Sequence, residues 1–141
     1  EGVNYSNDAL NFFFNGCSLN DLKGYTLDDK IFSKQGGNWI NDRLGSLCIV
    51  YQIEENGVNA RSFEDAFIEI NKDFISNKKD EFKGIKNRPF FEEEDIGSYE
   101  LAEKCVKKKT HFALDILYHS DKDFTNWEIP LYIKEGLLWL K

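Results

Sequence analysis

The chain has 141 residues, within the usual range of a single domain, and carries a net charge of −7 with no methionine. A negative balance disfavours indiscriminate binding along a phosphate backbone, and no apolar run approaches the ~20 residues that span a bilayer. Twelve phenylalanines and a hydrophobic fraction of 41% supply material for a real core, which excludes a wholly disordered chain.

Cys17, Cys48 and Cys105 are odd in number, far apart and without a CxxC or Cys/His pairing. That argues against a disulfide framework or a zinc site and for reduced thiols in a cytoplasmic protein. Charge is uneven along the chain. Residues 1–60 hold 8 acids and 4 bases, residues 61–100 hold 11 and 7, and residues 101–141 hold 6 and 7. Basic islands at 78–88 and at Lys104, Lys107, Lys108 and Lys109 allow local contact with an anion. A sequence without methionine that starts inside ordinary structured sequence is expected to be a piece of a longer protein.

The first element is a helix capped by Ser6 or Asn7, running from Asp8 through Phe14 and stopped at Asn15-Gly16. A second short helix starts at Ser18 and ends near Lys23-Gly24, and Thr26, Asp28 and Asp29 predict a third helical turn. Gln35-Gly36-Gly37-Asn38 reads as a loose loop. Leu47 to Ile53 is the clearest strand, apolar almost throughout as for a strand covered on both faces, with Glu54-Glu55-Asn56-Gly57 turning after it.

Ser62 and Asp65 form a capping-box arrangement that opens a helix carrying Ala66, Phe67, Ile70 and Phe74 on one face. Residues 77–97 are polar, broken by Asn87-Arg88-Pro89 and followed by Glu92-Glu93-Glu94-Asp95, and read as an exposed connector. A helix resumes after Ser98 with Leu101, Ala102, Cys105 and Val106 on one face, and Thr110 caps its continuation through Leu117. After a polar turn at 119–126, Pro130 opens a final helix over Ile133, Leu137, Leu138 and Leu140. The whole is an α/β, helix-rich pattern in one domain, 1–141, whose strand needs partners to satisfy its backbone.

Standard chemical signatures are missing: no glycine-rich phosphate loop, no HExxH, no GxSxG. His111 and His119 read as a helix-surface and a turn histidine, and nothing orients a Cys105–His111 couple. Glu92–Asp95, and Asp121 with Asp123, read as solvated acidic turns. Glu64 and Asp65 stand apart because they lie in the first turn of a helix that follows a strand, a common place to hold a divalent cation. On spacing alone, a capping role for Asp65 and a dipole role for Glu64 are the favoured reading of their position.

Four stretches carry a resemblance that sharpens this. Arg61-Ser62-Phe63-Glu64-Asp65-Ala66-Phe67 resembles the RSFEDAF element of the TOPRIM nuclease domain in OLD-family ATP-dependent endonucleases, behind a strand carrying Tyr51-Gln52. Lys109-Thr110-His111-Phe112-Ala113 resembles that family's K-x-D-F-A helix start, with His111 where Asp is usual. Trp127 to Leu140 resembles its closing segment, and Tyr5-Ser6-Asn7 its TSN turn.

The resemblance implies a TOPRIM-like α/β fold with a short parallel sheet, of which this chain is the C-terminal portion. It implies Glu64, with Asp65 beside it, as metal-ligating, and Lys109 as a catalytic cation for charge on phosphate. Mg²⁺ or Mn²⁺ would be shared with carboxylates outside this chain, because the upstream Glu and DxD of the family do not occur before Tyr5. The implied parent is a metal-dependent DNA endonuclease with an N-terminal ATPase domain in cis, and the fragment alone is expected not to cut. The competing expectation is a non-catalytic interaction or dimerisation module forming homo-oligomers.

Overall fold

Local signals at the start of the chain are strong enough to fix its first elements. The structure, a computed structural model, describes residues 7–141. Tyr5 and Ser6, expected in the first cap and in the Tyr5-Ser6-Asn7 turn, lie outside the described residues. The chain divides into two units, Glu1–Ile53 with Tyr132–Lys141, and Glu54–Leu131.

In the first unit, α1 (Asp8–Phe13) is capped by Asn7, whose Oδ1 accepts from the N–H of Ala9 at 3.0 Å and of Leu10 at 3.2 Å. Next, α2 (Leu19–Gly24) opens on a complete capping box. The Asp21 N–H donates to Ser18 Oγ at 3.1 Å, and the Ser18 N–H to Asp21 Oδ2 at 2.7 Å. The helical turn expected at Thr26–Asp29 is a 3₁₀ turn over Asp28–Lys30, preceded by Thr26 bonding Asp29 through both N–H and hydroxyl.

A three-stranded sheet follows: β1 (Ile31–Gln35), β2 (Asn38–Asn41) and β3 (Leu47–Cys48), in the order β2-β1-β3. The loop expected at 35–38 is a tight hairpin. Gln35 pairs with Asn38, and Gly36 and Gly37 both take positive φ, +56° and +87°, as a two-residue turn between twisted strands requires. Both pairings in this sheet are antiparallel, which corrects the parallel sheet expected. Parallel strands need a long crossover, whereas β1, β2 and β3 follow one another through short turns. The long strand read over Leu47–Ile53 pairs only at Leu47 and Cys48, because β1 offers no further partners.

Phe14, Leu22, Phe32 and Tyr51 form this unit's core, with Phe14 edge-on to Tyr51 at 5.5 Å and to Phe32 at 5.6 Å. The final helix α6 (Leu131–Trp139) begins one residue after Pro130, close to its expected start. It is tied down by Glu135, which takes the ammonium of the buried Lys30 at 2.8 Å, and that ammonium also lies 4.9 Å from the Tyr51 ring centre.

The second unit opens with a small antiparallel hairpin, β4 (Glu54–Glu55) and β5 (Val58–Asn59), turned by Asn56-Gly57. Its body is α3 (Phe63–Lys78), α4 (Ser98–Cys105) and α5 (Lys109–Tyr118). Phe67, Ile68, Ile75, Phe82, Leu101, Cys105 and Phe112 are fully buried among them. Helix α3 breaks at Asn71, where φ −129° and ψ 25° leave the helical region. The Asn71 amide donates to the carbonyls of Phe67 and Glu128 at 3.1 and 2.9 Å and accepts from the Glu128 N–H at 2.7 Å.

Residues 77–97 differ from the exposed connector expected. Phe82, Ile85, Phe91 and Ile96 from this stretch are buried in the core. Arg88 donates to the carbonyls of Lys79 and Phe82, closing the end of α3. Gly84 lies so close to α5 that an added Cβ would stand 2.2 Å from the Phe112 nitrogen. The Gly84 carbonyl accepts from the N–H groups of Lys107 and Lys108, and its N–H donates to the buried Asp115 at 2.6 Å. Gly84 thus fixes where α5 starts. That start is Lys109 rather than the Thr110 cap expected, with Lys108 in the cap position and no side-chain cap.

Candidate functional site

Two helix beginnings converge in the second unit. Ser62 caps α3 by accepting the Asp65 N–H at 3.2 Å, which orients the first turn and the two acids it carries. The α5 start carries Lys109, placed by the Gly84 contacts. Between them lies a cleft of about 340 Å³ lined by Arg61, Ser62, Glu64, Glu103, Val106 and Lys109 among others.

The two carboxylates expected as metal ligands are used differently. Asp65 is the clasp of the α3 cap. Its Oδ2 accepts from the backbone N–H and Nε of Arg61 at 3.1 and 3.3 Å, and its Oδ1 accepts from the Ser62 hydroxyl at 3.0 Å. Its carboxylate reaches one residue further back than the expected capping box, which would have ended on the Ser62 N–H.

Glu64 points to the cleft and meets Lys109, 45 residues away in sequence, at 3.0 Å from Oε2 to Nζ. The pair is lopsided: the Glu64 side chain is 9% exposed and that of Lys109 73%. Burial pushes the Glu64 carboxyl up. The hydrogen bond from Lys109, its own backbone amide, the Ser62 hydroxyl and the Lys109 charge together outweigh burial, holding the group below the usual carboxylate range.

A divalent cation needs several oxygens converging within ~2.0–2.6 Å. Among the described residues no group of three or more His, Cys, Asp or Glu stands close enough to hold one. With Asp65 engaged in the cap and Glu64 in an ion pair, these residues do not form a metal site by themselves.

The other residues singled out in the sequence have local structural roles. His119 is stacked on Phe82 with ring centres 5.3 Å apart, and Asp121 accepts three bonds from Asp123 and Thr125 within its own turn. Cys105 is fully buried, and none of the three cysteines forms a disulfide. Its thiol is raised chiefly by burial. Trp127 packs on Phe67 with ring centres 5.5 Å apart.

Arg61 was missed as a site residue. Its guanidinium carbon lies 2.9 Å from the centre of the Tyr99 ring while Nε holds Asp65, and the side chain remains 56% exposed at the cleft edge. Its place in the RSFEDAF stretch was the available signal. The Tyr99 ring, 38 positions on, gave none.

A helix-rich α/β fold with short antiparallel sheets and an ion-paired Glu–Lys cleft between two helix starts is the class these observations define. Among curated proteins the chain is similar to Endonuclease GajA of Bacillus cereus (strain HuB5-5), 32% identical over 113 residues, covering 70% of this chain and 16% of that protein. The chain thus spans about a sixth of the relative's length. No family model and no solved structure matches it. Among the described residues no helix is long and apolar enough to cross a membrane.

Proposed function

We propose that this chain is part of a nuclease related to Endonuclease GajA, and that the Glu64–Lys109 cleft is its share of a phosphodiester-cutting site. The observation that carries the reading is the 3.0 Å pair itself. It joins two residues that the sequence resemblance had singled out independently, inside one cleft.

Lys109 sits at the first turn of α5 behind Lys107 and Lys108. Cations at a helix start oppose the helix dipole, so this cluster costs stability unless an anion sits there. Glu64 supplies part of that anion in the free chain. A phosphate oxygen supplies the rest when nucleic acid enters, and the exposed Lys109 ammonium then faces the charge that develops on it.

The TOPRIM assignment, DNA as substrate, and an ATPase domain elsewhere in the same polypeptide belong to this proposal. Mg²⁺ or Mn²⁺, the ions suited to such chemistry, would draw most of their oxygen ligands from outside these residues, with Glu64 contributing one. The isolated chain is therefore expected to bind metal weakly and not to cut.

The test is Mn²⁺ titration of the chain and of Glu64→Gln, followed by paramagnetic broadening of amide signals. Millimolar binding that broadens residues 62–65 and 109, and disappears in Glu64→Gln, supports the reading. Broadening confined to Glu92–Asp95 in both proteins sinks Glu64 as a ligand.

A second reading, an interaction or dimerisation module, has one observation in its favour. Leu137, Leu138 and Leu140 near the end of α6 are 50%, 54% and 71% exposed. Sedimentation of the chain over a concentration series tests it, and a monomer throughout removes self-association.

A further inference from the structure

We propose that Arg61 is a phosphate-binding residue of this cleft, its guanidinium pre-set by Tyr99 and Asp65. The inference rests on the nuclease reading above and adds a residue and a contact to it.

The hydrogen bonds of Arg61 among the described residues leave from its backbone N–H and from Nε, and both end on Asp65. The terminal nitrogens are not used by that clasp. Tyr99 covers the guanidinium, with the carbon 2.9 Å from the ring centre, which removes water from one side.

With Nε tethered, the guanidinium carbon over the Tyr99 ring and the side chain 56% exposed beside the cleft, the remaining fork is the part positioned to reach a ligand. A planar fork matches two oxygens of a phosphate, and one already immobilised loses less entropy on binding than a free lysine. Arg61 and Lys109 then stand as two cations lining one 340 Å³ cleft, large enough for a single backbone phosphate with its sugar.

Glu64, Asp65 and Glu103 face the same space or its edge and oppose a bare anion. Glu64 is compensated by Lys109 and Asp65 by Arg61 itself, so the opposition is partly cancelled before a ligand arrives.

The experiment measures binding of a short labelled DNA duplex to the 141-residue chain over a salt series, with thermal melting alongside. Arg61→Ala and Lys109→Ala should each weaken binding and each flatten the salt dependence by about one ion. Arg61→Lys keeps the charge and the slope but loses the fork, and binding should drop about tenfold. Tyr99→Leu changes no charge and should weaken binding about threefold at unchanged slope, because only the stacking is lost.

A clasp with no ligand role would lower the melting temperature of these variants and leave binding untouched, which overturns the inference. If Arg61→Ala does not fold, Arg61→Lys and Tyr99→Leu decide. Should Lys109→Ala weaken binding while the Arg61 and Tyr99 variants bind like the parent, this inference alone falls. A parent chain that binds no duplex even at low ionic strength removes the nuclease reading and this inference with it.

Discussion

Replacing Lys109 with methionine tests the cleft through stability, without needing substrate. The Glu64 side chain is 9% exposed and loses the cation that meets it in the cleft at 3.0 Å. Breaking a fully buried pair by removing one partner costs about 3–5 kcal/mol. Lys109, however, is 73% exposed, so water already solvates the ammonium and screens the pair; exposed pairs are worth about 0–1 kcal/mol. The lopsided pair falls between, at about 1–2 kcal/mol near neutral pH.

The sign with pH follows from Glu64. Its pKa in the folded chain is lowered, so its contribution is present above the unfolded carboxylate range and is lost as pH falls through the folded value. In Lys109→Met, burial is opposed only by the Ser62 hydroxyl and the backbone amide, and the Glu64 pKa rises. The gap between parent and variant should therefore be small near pH 3, widen through the carboxylate range, and level off by about pH 6. Urea unfolding at several pH values, read by tryptophan fluorescence, measures it. A loss of the same size at pH 3 and pH 7 would mean that Lys109 matters through its methylenes and not its charge, and the electrostatic account of the cleft would be wrong.

Asn71→Ala should cost about 2–3 kcal/mol in the same assay, because the Glu128 N–H and carbonyl both lose their partner where α3 breaks. Gly84→Ala places a Cβ 2.2 Å from the Phe112 nitrogen, and backbone cannot yield as a side-chain tip can. A loss of about 3 kcal/mol or more is expected in urea unfolding, with shifted amide signals at Lys107–Lys109. Unchanged amides there would separate Gly84 from the placing of Lys109. Burial raises the thiols of both Cys105 and Cys48, but only Cys105 is fully buried, so it should resist iodoacetamide at pH 8 while the partly exposed Cys17 and Cys48 react. Peptide mass mapping reads this directly, and equal labelling of all three would contradict the core assignment.

What could be read from the sequence was mostly what is decided within four residues. Asn7, Ser18 and Ser62 cap helices as their side-chain chemistry predicts. The α6 start after Pro130 was equally legible. What failed depended on partners far along the chain. Ile31–Gln35 and Asn38–Asn41 are short and half polar, so they show no strand pattern until they are seen pairing across Gly36-Gly37. Leu47–Ile53 has the composition of a strand, yet only two of its residues find a ladder partner. In 77–97 the charges dominate the composition, while Phe82, Ile85, Phe91 and Ile96 are spaced irregularly because turns and a short 3₁₀ helix over Arg88–Glu92, rather than an α-helix, carry them inward.

The candidate site divides along the same line. Glu64 came from its place in a first helical turn, sharpened by the resemblance, and Lys109 from the resemblance, while no rule of local spacing pairs residues 45 apart. Asp65 was open between two roles. Its geometry favours the clasp, since three donors hold its two oxygens. Neighbouring acids on one helical turn thus have separate tasks, one closing the cap and one facing the cleft.

The cost of that arrangement is itself informative. Lys107, Lys108 and Lys109 crowd the positive end of α5, where acids or a capping hydroxyl would stabilise the helix and where no side-chain cap is made. Thr110 stands two positions too late to serve as that cap. A sequence selected for stability alone would move the hydroxyl back or exchange a lysine for an acid, and neither change disturbs the core, since these lysines are exposed. Violations of a local rule without a packing reason concentrate at functional positions. The lysine cluster therefore argues for an anion that meets α5 at its start, and Glu64, buried and paired with Lys109, supplies part of that charge.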